Sequence, residues 1–592
     1  MRPRFRIHAV LGLLLLAGLL SVSPTPVMAA RPSAPKLLPQ TTLAYVRIAN
    51  CAEFIERMKE TSIGKIARDE EIRPLLEQLY GDALDAFSDV EEDIGLSLDD
   101  LLKLPQGEAC LALVSSETGT PMLTLMIEVG DQMPEAEKLL EKMEDSIVGD
   151  GGTKATETVG ATELATYNTP GEDPFTLFKR EGMVVMCTSS ILAKQLIDVW
   201  DETAPGNFRS LADNRKFTAI MKRSAGNKGA RPQMSWYADP IAMVESFGRA
   251  SFTVQAVLAA LPALGVDGFK ALGGSVILAP DNFDSIAHFH LSLDFPRKGI
   301  LEVFEMKSGD LTPESWVPEN AASYTSVNWN ISKAYAALER MIDTIRGEGG
   351  FARMVDDRIS DPWGIDFKED VIGCMDGRFS YVTWIEPPAR VNSQTNLIAF
   401  KLNDAVAAQK TLNRIMDKFD FFTRVSNRGT SYYTAEVPDN RNRERPDFVR
   451  KPVPCLAFVG NYLMFTDSDR FLKRILVTKG NNSKSLANQL DYKLIASRIR
   501  QQAGRQEPAM ISFSRPEEVL KSLYELATSD STQTALSGQA ENNQFFKVLD
   551  RALKDSPLPD FEVIAKYLSP RGAMTLSDET GLHTISFTLK RN

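Results

Sequence analysis

The sequence predicts an α+β protein made of two tandem homologous repeats, each with a mainly antiparallel sheet and packed helices. The chain has 592 residues, which is too long for one compact core. The phrase SLADNRKFTAI begins at residue 210, and the similar phrase SLANQLDYKLI begins at residue 485. Strand-like segments mostly follow one another directly, which favours antiparallel pairing over a doubly wound parallel sheet. These observations together define the predicted fold class.

The internal similarity extends beyond that phrase and sets the predicted domain boundaries. Other segments recur in the same order, and these are PQTTLAY (39–45) with PENAASY (318–324), MLTLMIEVGDQMPEAEKLLEKM (122–143) with NLIAFKLNDAVAAQKTLNRIM (396–416), GMVVMCTSS (182–190) with GNYLMFTDS (460–468), PQMSWYADP (232–240) with PAMISFSRP (508–516), and HFHLSLD (288–294) with HTISFTL (583–589). Such ordered repetition indicates a duplicated unit. We therefore predict repeat one at 31–306, a linker at 307–317 and repeat two at 318–592.

The repeated Ser-Leu-Ala phrase is interpreted as the start of a helix. Ser210 and Ser485 follow loops, and Ser, Asp and Asn satisfy free N–H groups at helix starts. Leu211 and Leu486, one residue further on, would anchor each helix to its core. The phrase is thus predicted to be structural rather than catalytic.

The first thirty residues resemble a cleaved signal peptide. Arg2, Arg4 and Arg6 precede an apolar run at 9–20, and VMAA at 27–30 ends in small residues. The later apolar segment at 253–265 is too short to span a bilayer and contains a proline. We expect export to the periplasm or beyond the cell, with no transmembrane anchor in the mature chain.

The charge balance is acidic and makes a nucleic-acid partner unfavourable. The formal net charge is −11, and loss of three arginines with the signal peptide makes it −14. Phosphate backbones require a basic face on the protein. No nucleic-acid partner is therefore expected.

Five cysteines are spread through the chain without a metal-type spacing. They lie mostly in apolar, strand-like runs, and we interpret them as buried thiols rather than as a disulfide framework. Their positions are Cys51, Cys110, Cys187, Cys374 and Cys455.

The segment after the signal peptide resembles a family of bacterial exported proteins known only as a domain of unknown function. Its members begin with a Leu-Pro-x-x-Thr-x-Ala-Tyr-Val-Arg-like strand and a helix ending near Gly-Lys or Gly-Arg. The matching residues here are Leu38, Pro39, Thr42, Ala44, Tyr45, Val46, Arg47, Gly64 and Lys65. In repeat two, Tyr324 is kept while Thr325 and Ser326 replace the Val-Arg pair. The resemblance supplies no activity, cofactor or site.

Ser62 and Lys65 form the sharpest enzyme-like motif. The Ser-x-x-Lys spacing allows a lysine to activate a serine, as in proteins that resemble serine β-lactamases. Such proteins also need a Ser-x-Asn box and a Lys-Thr-Gly-like strand. A Lys-Ser-Gly occurs at 307–309, but no Ser-x-Asn lies between the two motifs. We expect no Ser/Lys catalysis here.

His288 and His290 form the only histidine cluster. Their i, i+2 spacing places both rings on one face of a strand, as some metal sites require. Asp281 and Asp284 lie near them in sequence, and His583 lies in the matching strand of repeat two. A surface-facing strand explains these residues better than a metal site, and we predict no metal.

Four further segments are charged or rich in glycine. GDGGTK at 149–154 lacks the phosphate-loop spacing and predicts a turn. The acidic segments at 89–95 and 97–100 could supply paired carboxylates, but they fit solvated helix ends better. A long basic loop at 438–454 is explained best as a solvated loop, and the alternative is contact with an anionic envelope polymer or an acidic partner. Its basic residues are Arg441, Arg443, Arg445, Arg450 and Lys451.

The hypothesis that fits these patterns best is a non-catalytic exported protein of the bacterial envelope, which acts by binding or as a structural component. The alternative is an envelope hydrolase whose site is assembled from residues distant in sequence. A pocket with two or more shifted titratable groups would favour the hydrolase. Assembly into oligomers through the helical faces is a third hypothesis. No catalytic, cofactor-binding or metal residue is predicted.

Overall fold

The computed structural model describes residues 31–74, 77, 103–116, 120–226, 231–249, 251–418, 422–437, 449–529 and 558–591. The chain divides into two compact units. The first unit contains residues 1–260 and 269–292, and the second contains residues 261–268 and 293–592. The acidic segments at 89–95 and 97–100, and Arg441, Arg443 and Arg445, lie outside the described residues.

The first unit is an antiparallel sheet with helices packed against it. Its strand order is β10-β9-β8-β1-β2-β3-β7-β6-β5-β4. The strands are β1 (Thr42–Ile48), β2 (Ala109–Val114), β3 (Met122–Glu128), β4 (Thr153–Val159), β5 (Thr162–Asn168), β6 (Phe175–Arg180), β7 (Met183–Cys187), β8 (Met234–Ala238), β9 (Phe269–Leu278) and β10 (Phe283–Leu293). The helices are α1 (Ala34–Leu37), α2 (Cys51–Glu60), α3 (Ser62–Ala67), α4 (Met133–Gly149), α5 (Ser190–Trp200), α6 (Arg215–Arg223) and α7 (Pro240–Gly248). The next helix, α8 (Phe252–Leu264), begins in the first unit, and its residues from 261 onward belong to the second.

The second unit has the corresponding order of strands. Its sheet runs β20-β19-β18-β11-β12-β13-β17-β16-β15-β14. The strands are β11 (Ser323–Asn328), β12 (Met375–Ile385), β13 (Gln394–Leu402), β14 (Phe422–Asn427), β15 (Thr430–Ala435), β16 (Cys455–Val459), β17 (Tyr462–Thr466), β18 (Met510–Ser514), β19 (Arg571–Asp578) and β20 (Gly581–Leu589). The helices are α9 (Ile331–Arg346), α10 (Gly350–Val355), α11 (Asp361–Trp363), α12 (Ala405–Met416), α13 (Asp469–Lys479), α14 (Leu490–Ala503), α15 (Pro516–Ala527) and α16 (Phe561–Ala565).

These sheets confirm the predicted α+β class with antiparallel pairing. The first strand of each unit lies in the interior of its sheet, because β1 pairs with β2 and β8, and β11 pairs with β12 and β18. The same succession of pairings in the two units agrees with the recurring sequence phrases. Common descent of the two halves stays a prediction.

The repeated Ser-Leu-Ala phrase starts a helical segment in both units, as predicted. Ser210 precedes a 3₁₀ turn and exchanges hydrogen bonds with Asp213, and Asn214 then caps α6. Leu211 and Leu486 are fully buried. Each phrase also bridges to the segment before the first strand, because Pro39 pairs with Ser210 and Pro318 pairs with Ser485. The phrase therefore connects the segment before the first strand of each unit to the start of a helix.

Aromatic rings fill the core next to this helix start. Tyr45 and Tyr237 both lie edge-on to Phe217, with ring centroids 5.4 and 5.6 Å away. In the second unit, Tyr492 and Phe513 form a similar edge-on pair at 5.6 Å. Since such pairs add to the free energy of area burial, they lock the helix onto the sheet.

The segment predicted as a linker, residues 307–317, belongs to the second unit. Leu311, Trp316 and Val317 are at most 4% exposed. Trp316 packs edge-on against Tyr462 with ring centroids 5.5 Å apart. The segment is therefore part of a core rather than a solvated connection.

Among the described residues, no helix is both long and apolar enough to cross a membrane. The apolar segment singled out in the sequence forms α8, which has 13 residues and contains Pro262.

Candidate binding cavity of the second unit

The Ser62–Lys65 motif lies at the start of α3, and its serine is engaged by a carboxylate. The Ser62 hydroxyl donates a hydrogen bond to Oδ1 of Asp284 at 2.9 Å, and the Ser62 N–H donates to the same oxygen. The hydroxyl proton of Ser62 is thus used in a structural hydrogen bond at the start of a helix. The Lys-Ser-Gly segment at 307–309 belongs to the other unit.

His288 and His290 share one face of β10, as predicted, but that face is buried. They are 6% and 1% exposed, whereas Phe289 between them is 39% exposed. The prediction of a surface-facing strand was therefore wrong, because alternation fixes which residues share a face and not which face meets the core. Burial lowers the pKa of His288 to about 4. Asp284, which lies near the two histidines in sequence, accepts a hydrogen bond from Ser62.

No group of three or more His, Cys, Asp or Glu side chains is arranged to hold a metal within the described part of the chain. The five cysteines are free and buried, as the sequence indicated. Burial raises the pKa of Cys51, Cys187 and Cys455 to about 12. GDGGTK forms the predicted turn, which connects α4 to β4 with Gly151 at a positive φ of 82°.

The basic loop of the second unit contributes a structural arginine. Arg450 is 4% exposed, and its guanidinium donates to the Asp467 carboxylate at 2.6 Å and to the Asn392 carbonyl at 2.6 Å. It therefore fixes the base of the loop and is not available to an anionic polymer. Lys451 next to it is exposed.

A cavity of about 530 Å³ lies in the second unit between α15 and α16. Volumes of this size accommodate small organic ligands. It is lined by Glu517, Glu518, Lys521, Phe561, Glu562, Ala565, Lys566 and Arg591. These residues come from the first turns of α15, from α16 and its C-terminal end, and from the end of the chain.

Arg515 fixes the start of α15 at the edge of the cavity. Its guanidinium forms a two-pronged ion pair with Asp491, at 2.6 and 3.0 Å, and donates to the carbonyls of Glu319 and Ala321. Bidentate pairs of this type are rigid as well as strong. The position of Glu517, two residues later, is therefore well defined.

Glu517 is the unusual group of the cavity wall. Its Oε2 atom is buried and has no hydrogen-bond partner among the described residues. Burial raises the pKa of Glu517, and repulsion from Glu518 and Asp491 adds to the rise. Attraction by Arg515 and a backbone hydrogen bond oppose it. A carboxylate in the first turn of a helix is ordinarily stabilised, so the cost of burial outweighs that benefit here.

Two of the three cations of the same wall, Arg591 and Lys566, are engaged with the protein, and the third, Lys521, is exposed. Arg591 donates to the carbonyls of Ala565 and Leu568, at 2.5 and 2.8 Å. The ammonium group of Lys566 lies 5.0 Å from the centre of the Tyr567 ring. Within the described residues, the carboxylates of Glu518 and Glu562 form no hydrogen bond or ion pair. The wall thus presents more unused negative charge than unused positive charge.

The ring of Phe561 and the side chain of Ala565 form the apolar side of the cavity, and Tyr524 supports the ring from outside the lining. Phe561 is 8% exposed and contacts Tyr524, with ring centroids 5.6 Å apart. The ring of Phe561 provides a surface for the methylene groups of a ligand, and ring faces also attract cations.

No pattern in the sequence indicates this cavity. A proline followed by two glutamates, at 516–518, is an ordinary helix start. The other wall residues lie at 561–566 and at 591, and only the fold brings them together. Whether a buried oxygen lacks a hydrogen-bond partner depends on three-dimensional packing, and this leaves no pattern in the sequence.

Comparison with known proteins identifies no relative. No family model and no curated protein sequence matches this chain. One solved structure, titled "Structure of crystal form III of TP0453", aligns with a TM-score of 0.24 and 8% sequence identity. The alignment covers 47% of this chain and 86% of the other.

Proposed function

We propose that this protein is an exported, non-catalytic binding protein of the bacterial cell envelope. Its binding site is the cavity between α15 and α16, and its ligand is a small organic cation. The proposal depends on one observation, which is the buried and unpartnered Oε2 of Glu517.

The charges of the wall favour a cation. A buried carboxylate without a partner costs free energy, and a positively charged hydrogen-bond donor removes that cost. Glu518 and Glu562 add negative charge, whereas Arg591 already donates to two backbone carbonyls. A ligand with an ammonium group therefore gains more from this wall than an anion of equal size.

The remaining wall favours a ligand with an alkyl portion. Phe561 and Ala565 are apolar and lie beside the carboxylates. An alkylammonium ion can place its charge at Glu517 and its methylene groups against the ring. Export rests on the basic, apolar and small-residue regions of residues 1–30.

Titration calorimetry with cadaverine tests this function, because cadaverine joins two ammonium groups by an alkyl chain. The matched neutral ligand is 1,5-pentanediol. We expect heat of binding for cadaverine, none for the diol, and binding to Glu517→Gln that is weaker by about tenfold or more. Glu525→Gln, an exposed position near the end of α15, serves as the control variant. Equal binding by wild type and Glu517→Gln contradicts the proposed site.

An envelope hydrolase is the second candidate function, favoured by the raised pKa of Glu517. A buried carboxyl with a raised pKa can serve as a general acid, and further carboxylates line the same cavity. Incubation of the purified protein with peptidoglycan sacculi separates the two functions. Release of soluble fragments by wild type but not by Glu517→Gln would replace binding by catalysis.

A further inference from the structure

The residues that follow the predicted signal peptide form a docked segment of the first unit, here called the N-terminal strap (Arg31–Leu38). The guanidinium of Arg31 donates to Oε2 of Glu108 at 2.7 Å and to Oε2 of Glu128 at 2.5 Å. Its side chain is 11% exposed. The N–H of Ala34 donates to the same Glu108 carboxylate at 3.1 Å. The first residue of the strap is thus bound by two carboxylates.

The rest of the strap belongs to the main core. Ala34, Leu37 and Leu38 are fully buried. The carbonyl of Leu38 accepts the N–H of Leu211 at 2.7 Å, and Pro39 bridges to Ser210. The strap is therefore as much a part of the fold as the strand that follows it.

Glu108 is shared between the strap and the sheet. It is 3% exposed, and besides Arg31 it accepts from Nε of Arg47 in β1. The carboxylate of Glu128 also accepts the N–H of Glu108 at 2.8 Å. Both carboxylates are thus held in place by the sheet, independently of the strap.

We propose that Arg31 is the amino-terminal residue of the mature protein and that the Glu108–Glu128 carboxylate pair is its receptor. Hydrolysis of the Ala30–Arg31 peptide bond consumes a water molecule and leaves a carboxylate on Ala30 and an ammonium group on Arg31. The new positive charge lies on the residue that already pairs with two carboxylates. This inference rests on the export included in the proposed function and is independent of cation binding.

The geometry also sets the order of events. A peptidase binds its substrate as an extended, accessible segment, and docking of Arg31 and burial of Ala34 remove the residues after the bond from access. Cleavage therefore precedes docking of the strap. Once docked, the new terminus is shielded from exopeptidases, because local opening is required for attack.

Aminopeptidase P tests the docked terminus, because it removes a residue that precedes proline and Pro32 follows Arg31. The full protein is purified from the envelope fraction of producing cells, and its intact mass is followed during digestion. We expect a chain that starts at Arg31 and loses this residue slowly. Glu128→Gln should lose it about tenfold faster, since one charged hydrogen bond is gone while the more buried Glu108 remains. Glu141→Gln, exposed on α4, is the control.

Each outcome decides one part of the proposal. A mass that still includes residues 1–30 contradicts both the proposed export and the proposed cleavage. A cleaved chain that begins at another residue contradicts only the proposal that Arg31 is the mature amino terminus. Equal trimming of wild type and Glu128→Gln contradicts the carboxylate receptor. Cadaverine binding, measured on the same sample, reports separately on the second unit.

Discussion

Glu314 and Arg378 form an ion pair in the second unit, with 3.1 Å between Oε1 and Nη2 and both side chains under 10% exposed. Tyr324 donates to the Glu314 carboxylate at 3.1 Å and accepts from Arg378 at 3.0 Å. Ser380 donates to Glu314 at 2.8 Å. Glu314 comes from the segment that the sequence predicts as a linker, so this network fastens that segment to β11 and β12.

Replacement of Glu314 should therefore destabilise the second unit strongly. Glu314→Ala leaves Arg378 as a buried charge without its main partner, and we expect a loss of about 3 to 5 kcal/mol in the free energy of unfolding. Urea titration followed by circular dichroism measures it. Glu348→Ala, at an exposed position after α9, should change the free energy little. A loss below 1 kcal/mol for Glu314→Ala would show that the segment behaves as a linker after all.

Acidification should destabilise the first unit through His288. Its pKa is about 4 in the folded chain and about 6.5 when unfolded. A lowered folded pKa gives stability that is complete above the unfolded pKa and is lost as the pH falls toward the folded value. We expect a loss of up to about 3 kcal/mol between pH 6.5 and pH 4. His288→Gln cannot take up the proton, so its free energy of unfolding should fall less over the same range in urea titrations. An identical fall in both proteins would rule out His288 as the source.

Gly107→Ala should release the N-terminal strap. A Cβ at this position would coincide with the carboxylate of Glu128, which must then swing away from Arg31. Because one charged hydrogen bond is lost and the side chain can move, we expect a modest destabilisation of about 1 to 2 kcal/mol. Thermal unfolding measures it, and aminopeptidase P should remove Arg31 faster. Gly206→Ala meets open space and is the control. Unchanged trimming in Gly107→Ala would argue against Glu128 as a holder of the terminus.

Glu517→Gln should reduce the loss of stability that occurs as the pH rises from 4.5 to 8. A folded pKa above the unfolded value contributes stability at low pH that is lost as the pH rises through the folded pKa. Between pH 4.5 and pH 8, the melting temperature of the wild type should therefore fall further than that of the variant. Cadaverine affinity should change in the opposite sense and increase with pH, because the ligand requires the carboxylate. If the variant and the wild type show the same pH profile, the burial of Glu517 carries no such cost.

The cysteines should be unreactive in the native protein. All five are free and at most 7% exposed, and thiolate formation is unfavourable where burial raises the pKa. Iodoacetamide at pH 8 should leave the folded protein unlabelled and should modify all five thiols in urea. Mass spectrometry counts the adducts. Labelling of a thiol before unfolding would locate a region that opens readily.

Local patterns predicted the scaffold well, and the site poorly. The Ser-Leu-Ala phrase identified two helix starts because the cap, the anchor and the turn lie within a few residues of one another. The face of His288 was misassigned because the core side of a strand depends on what packs against it. Glu517 was missed because its environment comes from α16 and Arg591, which are distant in sequence. Arg31 carried no signal beyond its place after a small-residue pair.

The unpaired and buried state of all five thiols has a consequence for how the chain matures. Its cores close without any covalent cross-link, so folding requires no oxidant and produces no isomers that an enzyme must reshuffle. The native state is then equally accessible in oxygen-rich and oxygen-free surroundings.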